Sequence, residues 1–258
     1  MRRALFLVGM MIVQPALAGD LIIPQPPEYT TDWSGAYVGI FGGLGVSSGQ
    51  AKLGDYSGTL IPLDVSYGLF PNDISANHTG AAAGVAAGMN FQSGAFVGGF
   101  EADLGYAWTE SHNDFSRLDT IPGSPFNGVN TNTGFETDFG AIGSVRARAG
   151  YAFGDTLLFA TAGLAAGQVN NRFSLSLPEL NYSSPDWSAS GMRLGYVLGA
   201  GVEQKVASNV SVKFETLYYN LADRTVDASD PAAFPGEAIS YHFSNDVLMP
   251  RLGLSVQF

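Results

Sequence analysis

Ten charged residues interrupt segments that are otherwise apolar or small: Glu101, Asp103, Arg146, Arg148, Arg193, Glu203, Lys205, Lys213, Glu215 and Arg251. Carboxylates and cations in such surroundings can pair with one another in a low-dielectric interior or line a path for ions. The histidines, His78, His112 and His242, are the only imidazoles and could form a rim site for hemin or a metal. No ligand-spacing motif joins them, and isolated exposed histidines are ordinarily just solvated. Ser111-His112-Asn113-Asp114 holds nucleophile, base and acid in one run, but neighbours along a chain do not establish nucleophile-to-base geometry. The sequence lacks a Gly-x-Ser-x-Gly elbow, a phosphate-cradling loop, a zinc motif and a Rossmann fingerprint, so no catalytic residue, cofactor or resident metal is expected. Cysteine is absent, which removes disulfides, thiolate ligands and thiol chemistry.

The elements that carry these charges read as strands. Eight segments fit: Ala36–Ser47, Gly80–Asn90, Ala95–Trp108, Phe139–Tyr151, Thr156–Val169, Ser190–Lys205, Val210–Leu221 and Val247–Phe258. Each is long enough to cross a bilayer as a tilted strand, which takes about 9 to 11 residues. Within a strand, side chains alternate between faces. Glu101 and Asp103 oppose Phe96, Phe100, Leu104, Tyr106 and Trp108; Arg146 and Arg148 oppose Phe139, Val145 and Tyr151. Arg193, Glu203 and Lys205 oppose Leu194, Tyr196, Leu198 and Val202; Lys213 and Glu215 oppose Val210, Val212, Phe214 and Tyr218; Arg251 opposes Leu248, Leu252 and Leu254. A basic residue facing lipid at mid-depth costs roughly 2 to 4 kcal/mol, so this parity has a physical cause. The fifth segment carries no charge, and its outward face is not readable from sequence.

Connections alternate between short and long. Phe91–Gly94, Ala152–Asp155 and Val206–Asn209 are turn-like, whereas Ser48–Thr79, Thr109–Asp138, Asn170–Ala189 and Ala222–Asp246 are far longer. Short periplasmic turns and long external loops characterise outer-membrane barrels. The expected fold class is therefore all-β: a transmembrane eight-stranded antiparallel up-and-down β-barrel over residues 35–258, with periplasmic termini. Arg2 and Arg3, an apolar run and Ala16-Leu17-Ala18 predict a cleaved signal peptide over 1–18, followed by a Pro-rich periplasmic linker over 19–34. Charged residues make up only 14% of the chain, well below the roughly 25% of a soluble domain, and the formal charge of -11 argues against nucleic acid as a partner.

Tyr37, Phe96, Tyr151 and Phe258 are expected in a periplasmic aromatic girdle, and Tyr106, Trp108, Phe139 and Tyr218 in an outer one. Eight strands enclose a space that side chains fill, so the interior charges are read as an ion-paired packed core, with a narrow ion path as the alternative. The acidic outer loops (Asp55, Asp114, Asp227, Asp230 and Glu237 among them) read as a solvated surface. Leu60, Ile61, Leu63, Val65, Leu69 and Phe70 are too apolar for a free coil, and suggest hairpin extensions above the membrane or a contact patch.

Trp33-Ser34-Gly35-Ala36-Tyr37-Val38-Gly39 resembles the Trp-x-Gly-x-Tyr-x-Gly entry to the first strand of the porin-like surface barrels of alphaproteobacteria, the immunogenic and hemin-binding outer-membrane protein family. Residues 100–106, 143–151, 160–165 and 199–203 are similar to that family's internal strands. The terminal Phe258 is similar to the signal read by the outer-membrane assembly machinery. The resemblance implies residence in the bacterial outer membrane among lipid and lipopolysaccharide, and implies activity only loosely. The leading functional expectation is a structural envelope protein displaying surface loops. A small-conductance porin is the alternative, and a receptor for hemin or a host ligand comes third.

Overall fold

The computed structural model describes residues 31–258, apart from the side chains of residues 48–49, 76–78 and 110–111. The expected signal peptide over 1–18 and most of the linker lie outside the described residues. Eight long strands follow: β1 Gly35–Ser57, β2 Asp73–Ser93, β3 Phe96–Leu118, β4 Asn130–Phe153, β5 Thr156–Leu177, β6 Trp187–Ala207, β7 Val210–Ala228 and β8 Ala238–Gln257. Each pairs antiparallel with its neighbours in sequence, and β1 pairs with β8 through rungs such as Ile40 with Leu254, so the sheet closes on itself. Helix α1 (Ile61–Ser66), a 3-10 turn (Pro178–Leu180) and a two-residue strand (Tyr182–Ser183) complete the described elements.

The periplasmic hairpins are tighter than the four-residue turns expected. Only Gly94-Ala95, Gly154-Asp155 and Ser208-Asn209 separate the strands. Gly94 and Gly154 each have φ of 61°, which the first central position of a two-residue hairpin requires and which a side chain would strain. At the other end the strands run far past membrane depth, so most of each expected loop is strand.

Above the membrane the ring divides. The β2–β3 ladder stops at Ala81–Trp108 and the β6–β7 ladder at Gly195–Leu221. The β1–β2 ladder continues to Lys52–Asp73, β3–β4 to Leu118–Asn130, β5–β6 to Phe173–Trp187 and β7–β8 to Ala228–Ile239. The outer half is thus a sandwich of two four-stranded sheets, β7-β8-β1-β2 facing β3-β4-β5-β6. Its core holds Phe135, Phe173, Tyr241, Phe243, Leu69 and Phe70, with Ile61 and Val65 of α1 packed against it. Burying each of these large side chains contributes roughly 1.5 to 3 kcal/mol. The apolar run of the first outer loop is therefore explained by burial in this core.

Two of the register shifts between the barrel and the sandwich reverse the inward face of a strand. Between Phe139 and Ile142, β4 carries one residue more than the facing segment of β5, Val169 to Gly167. Such a bulge reverses which face alternate residues occupy. Below it Arg146 and Arg148 point inward; above it Phe139 and Phe135 do. Phe139 is consequently interior and not part of the outer girdle. A second register shift on β7–β8, between Leu221 and Arg224, acts likewise, bringing Val226 and Ala228 inward.

Candidate functional site

Apart from Phe139, the lipid-facing parity of the charged strands holds: Phe96, Phe100, Leu104, Val145, Leu194, Leu198, Phe214, Leu252 and Leu254 are exposed on the outside. On β5, Leu158 and Leu164 face out while Leu157, Phe159 and Thr161 face in. The outward aromatics Phe96, Tyr151 and Phe258 lie at the periplasmic end, and Tyr106, Trp108 and Tyr218 at the outer end. Tyr37, expected in the periplasmic girdle, is instead buried inside. Its parity on β1 matches Phe41 and Ser47, and that strand has no charge from which the inner face could have been read.

Eight of the ten charges form one buried cluster at the level where inward residues of β3, β4, β6, β7 and β8 converge. Arg146 lies at its centre. Its Nη1 contacts Glu215 Oε2 at 3.0 Å, and its Nη2 contacts Asp103 Oδ2 at 2.9 Å and also Glu101. Arg251 donates through Nε to Glu215 Oε1 at 3.0 Å and through Nη2 to Asp103 Oδ2 at 3.0 Å. Lys213 Nζ lies 2.6 Å from Glu101 Oε2 and 3.1 Å from Glu215 Oε1. Arg148 Nη2 pairs with Glu203 Oε2 at 2.8 Å, and its Nη1 donates to the Tyr37 hydroxyl at 3.0 Å, which in turn donates to Glu101 Oε2 at 2.6 Å. Ser144 and Ser211 donate to Asp103 and Glu203. The guanidinium planes also rest on rings, Arg148 over Phe159 at 4.3 Å and Arg251 over Phe41 at 4.1 Å. On β1, Gly43 makes room: a Cβ there would stand 2.7 Å from that of Arg251.

The cluster is electrically balanced. Glu101, Asp103, Glu203 and Glu215 face Arg146, Arg148, Lys213 and Arg251, so four negative charges meet four positive ones, each residue no more than 9% exposed. The two remaining bases lie toward the two ends of β6, outside the cluster. Lys205 is at the periplasmic rim, where Nζ donates to the Asp32 carbonyl at 2.6 Å and sits 5.2 Å from the Trp33 ring. Arg193 lies just past the last β6–β7 rung, makes no ion pair among the described residues, and has Nε and Nη2 buried without a hydrogen-bond partner. Both expected network members are thus corrected: their parity is inward, but their depth is wrong.

Apolar layers flank the cluster on both sides. On the periplasmic side Trp33, Val97, Leu157 and Phe159 pack together. Trp33, which falls within the expected linker, is 1% exposed and donates from Nε1 to the Gly154 carbonyl at 3.1 Å. On the outer side Phe139, Val169, Val197, Leu217, Tyr219, Leu221, Val247 and Met249 form a second layer. Above it Asn171 bridges Thr137 at 3.0 Å and Asn245 at 3.1 Å, and the sandwich core follows. Sequence reading missed these layers because apolar residues on both faces of a strand carry no alternation.

The histidines stand apart. His112, on β3, is exposed with Nε2 3.2 Å from Asp114 Oδ2. His242, on β8 in the opposite sheet, is exposed with Nδ1 2.7 Å from Thr225 Oγ1. His78 faces Ser47 in the β1–β2 register, its side chain outside the described residues. Among the described residues no group of three His, Cys, Asp or Glu is placed to hold a metal.

A closed antiparallel ring with an apolar outer band and two aromatic girdles defines a membrane-spanning β-barrel. The chain belongs to the outer membrane protein beta-barrel domain family, whose model matches residues 4–243. The 25 kDa outer-membrane immunogenic protein of Brucella abortus biovar 1 is 29% identical over 82% of this chain and 80% of that protein. The 31 kDa outer-membrane immunogenic protein of Brucella melitensis biotype 1 is 28% identical over 97% of both. Among solved structures, the outer membrane protein OprG from Pseudomonas aeruginosa aligns over 87% of this chain and 97% of its own, with 8% identity and a TM-score of 0.45. The protein is located in the outer membrane.

Proposed function

We propose that this protein is a sealed, non-catalytic structural barrel that supports outer-membrane integrity and displays its outer sandwich at the cell surface. The observation that carries the reading is the pair of apolar layers that flank a neutral, mutually bonded charge cluster. An ion entering the cluster would have to leave water for a place where each of the eight charges is already paired, at a desolvation cost that such pairs do not repay. Surface display is supported by the immunogenic character of the Brucella relatives. Insertion through the outer-membrane assembly machinery by way of β8 belongs to the same reading.

Two measurements test it. Current through the refolded protein in a planar bilayer is expected to show no steps, and reproducible steps that change on neutralising Arg146 or Glu101 would favour the small-conductance porin instead. Cells lacking the protein are expected to be more sensitive to detergent, and unchanged sensitivity would count against an integrity role. Neither His112 nor His242 shares a partner with the other, so nothing in their geometry favours hemin over any other surface ligand.

A further inference from the structure

At the outer tip of the sandwich, between α1, the 119–129 connection and the 229–237 connection, lies a partly open cavity of about 50 Å³. Its walls are aromatic and aliphatic, with Phe70, Phe126, Trp187 and Phe234 among them, and four acidic residues line it: Asp64, Asp119, Asp230 and Glu237. No Lys, Arg or His lines it. We infer that this cavity is a binding site for an organic ammonium bearing an aromatic or aliphatic group, with Asp64 as its counter-ion.

Three of the carboxylates are already engaged in holding the loops. Asp119 accepts from Ile121 N at 2.7 Å and Ser124 Oγ at 2.6 Å. Asp230 accepts from the Tyr182 hydroxyl at 3.0 Å and from the Ala232 and Ala233 amides. Glu237 accepts from the amides of Thr59, Leu60 and Ile61, capping α1 from across the cavity. Asp64, half-buried on α1, has neither a hydrogen-bond donor nor a cation on its carboxylate among the described residues. Burial, then Asp119 and Glu237, push its pKa up to about 6. At neutral pH it is therefore an ionised group in apolar surroundings beside like charges, which a bound cation would relieve.

The wall chemistry selects among cations. A hydrated metal ion needs several free oxygens, and three of the carboxylates are committed to amides and hydroxyls. An ammonium attached to a ring or alkyl chain gains from Asp64 at one end and from ring faces and apolar burial at the other. Anions are disfavoured by all four acids. The cavity is partly open, so it can take part of a larger molecule. The inference is independent of whether the barrel conducts.

The test is a titration of the refolded protein in non-ionic micelles at pH 7.5, read by tryptophan fluorescence with Trp187→Phe identifying the responding ring. Phenethylammonium is expected to give a saturable change, with 2-phenylethanol about tenfold or more weaker and 3-phenylpropionate inactive. Asp64→Asn should weaken the ammonium about tenfold while heat-shifted gel migration stays that of the folded barrel, and Phe126→Ala should weaken it without altering the preference for charge. Equal binding of the neutral alcohol, full affinity in Asp64→Asn, or no saturable response in folded protein would each overturn the assignment.

Discussion

At the level of single residues, the fold depends most on groups whose removal strands a partner. Glu101 meets Arg146, Lys213 and the Tyr37 hydroxyl, so Glu101→Gln leaves buried positive charge uncompensated. The expected loss is about 3 to 5 kcal/mol, read as a lower denaturant midpoint in micelles, and a second change, Lys213→Met, should recover part of it. Outside the membrane, Glu237 works by a different mechanism. Burial opposes its ionised form, but the amides of Ile61, Leu60 and Thr59 outweigh that and hold its pKa below the usual value. Glu237→Ala should speed hydrogen exchange in α1 and cost about 0.5 to 2 kcal/mol, as loss of a helix cap does. Asp64 has the opposite sign. With its pKa raised, the folded state holds that proton more tightly than the unfolded chain, so its contribution is present at low pH and is lost as pH rises from about 4 to about 6. Exchange of α1 amides should accelerate across that window in the wild type and stay flat there in Asp64→Asn.

Among the elements, four of the five charged strands were legible because each held two or three charges on one parity, and lipid permits only one such face to point outward. The β4 bulge was not legible, since Gly140 and Ala141 are small and uncharged and nothing in their types marks an extra residue. It accounts for the misplacement of Phe139: counting by twos across a bulge inverts the answer. Deleting Gly140 should restore simple alternation and so turn either Arg146 and Arg148 or Phe135 and Phe139 to the wrong side. The variant is expected to lose the heat-shifted band of the folded barrel, and retention of that band would show that β4 tolerates either count. Tyr37 was misplaced for a related reason: β1 has no charge, and β-propensity puts aromatics on either face.

In the whole molecule, two apolar layers flank the charge cluster and a sandwich continues the barrel outward, so the part above the membrane is a folded half-domain rather than four separate loops. Trp33→Ala should remove the periplasmic layer yet leave planar bilayers silent, because the charge cluster and the outer apolar layer remain; channel activity in that variant would make Trp33 the gate. From sequence alone, side-chain alternation under the constraint of lipid determined the inward parity of the ten charges, the succession of short and long connections determined the strand number and orientation, and these with the family resemblance pointed to the outer membrane. The depth of each charge, the pairing of eight and exclusion of two, the apolar plugs and the division into two sheets came only from the tertiary structure. Periodicity reports which face a side chain takes on its own strand. Which side chains meet across the interior depends on strand stagger, bulges and the balance of charge, and these are properties of the closed ring.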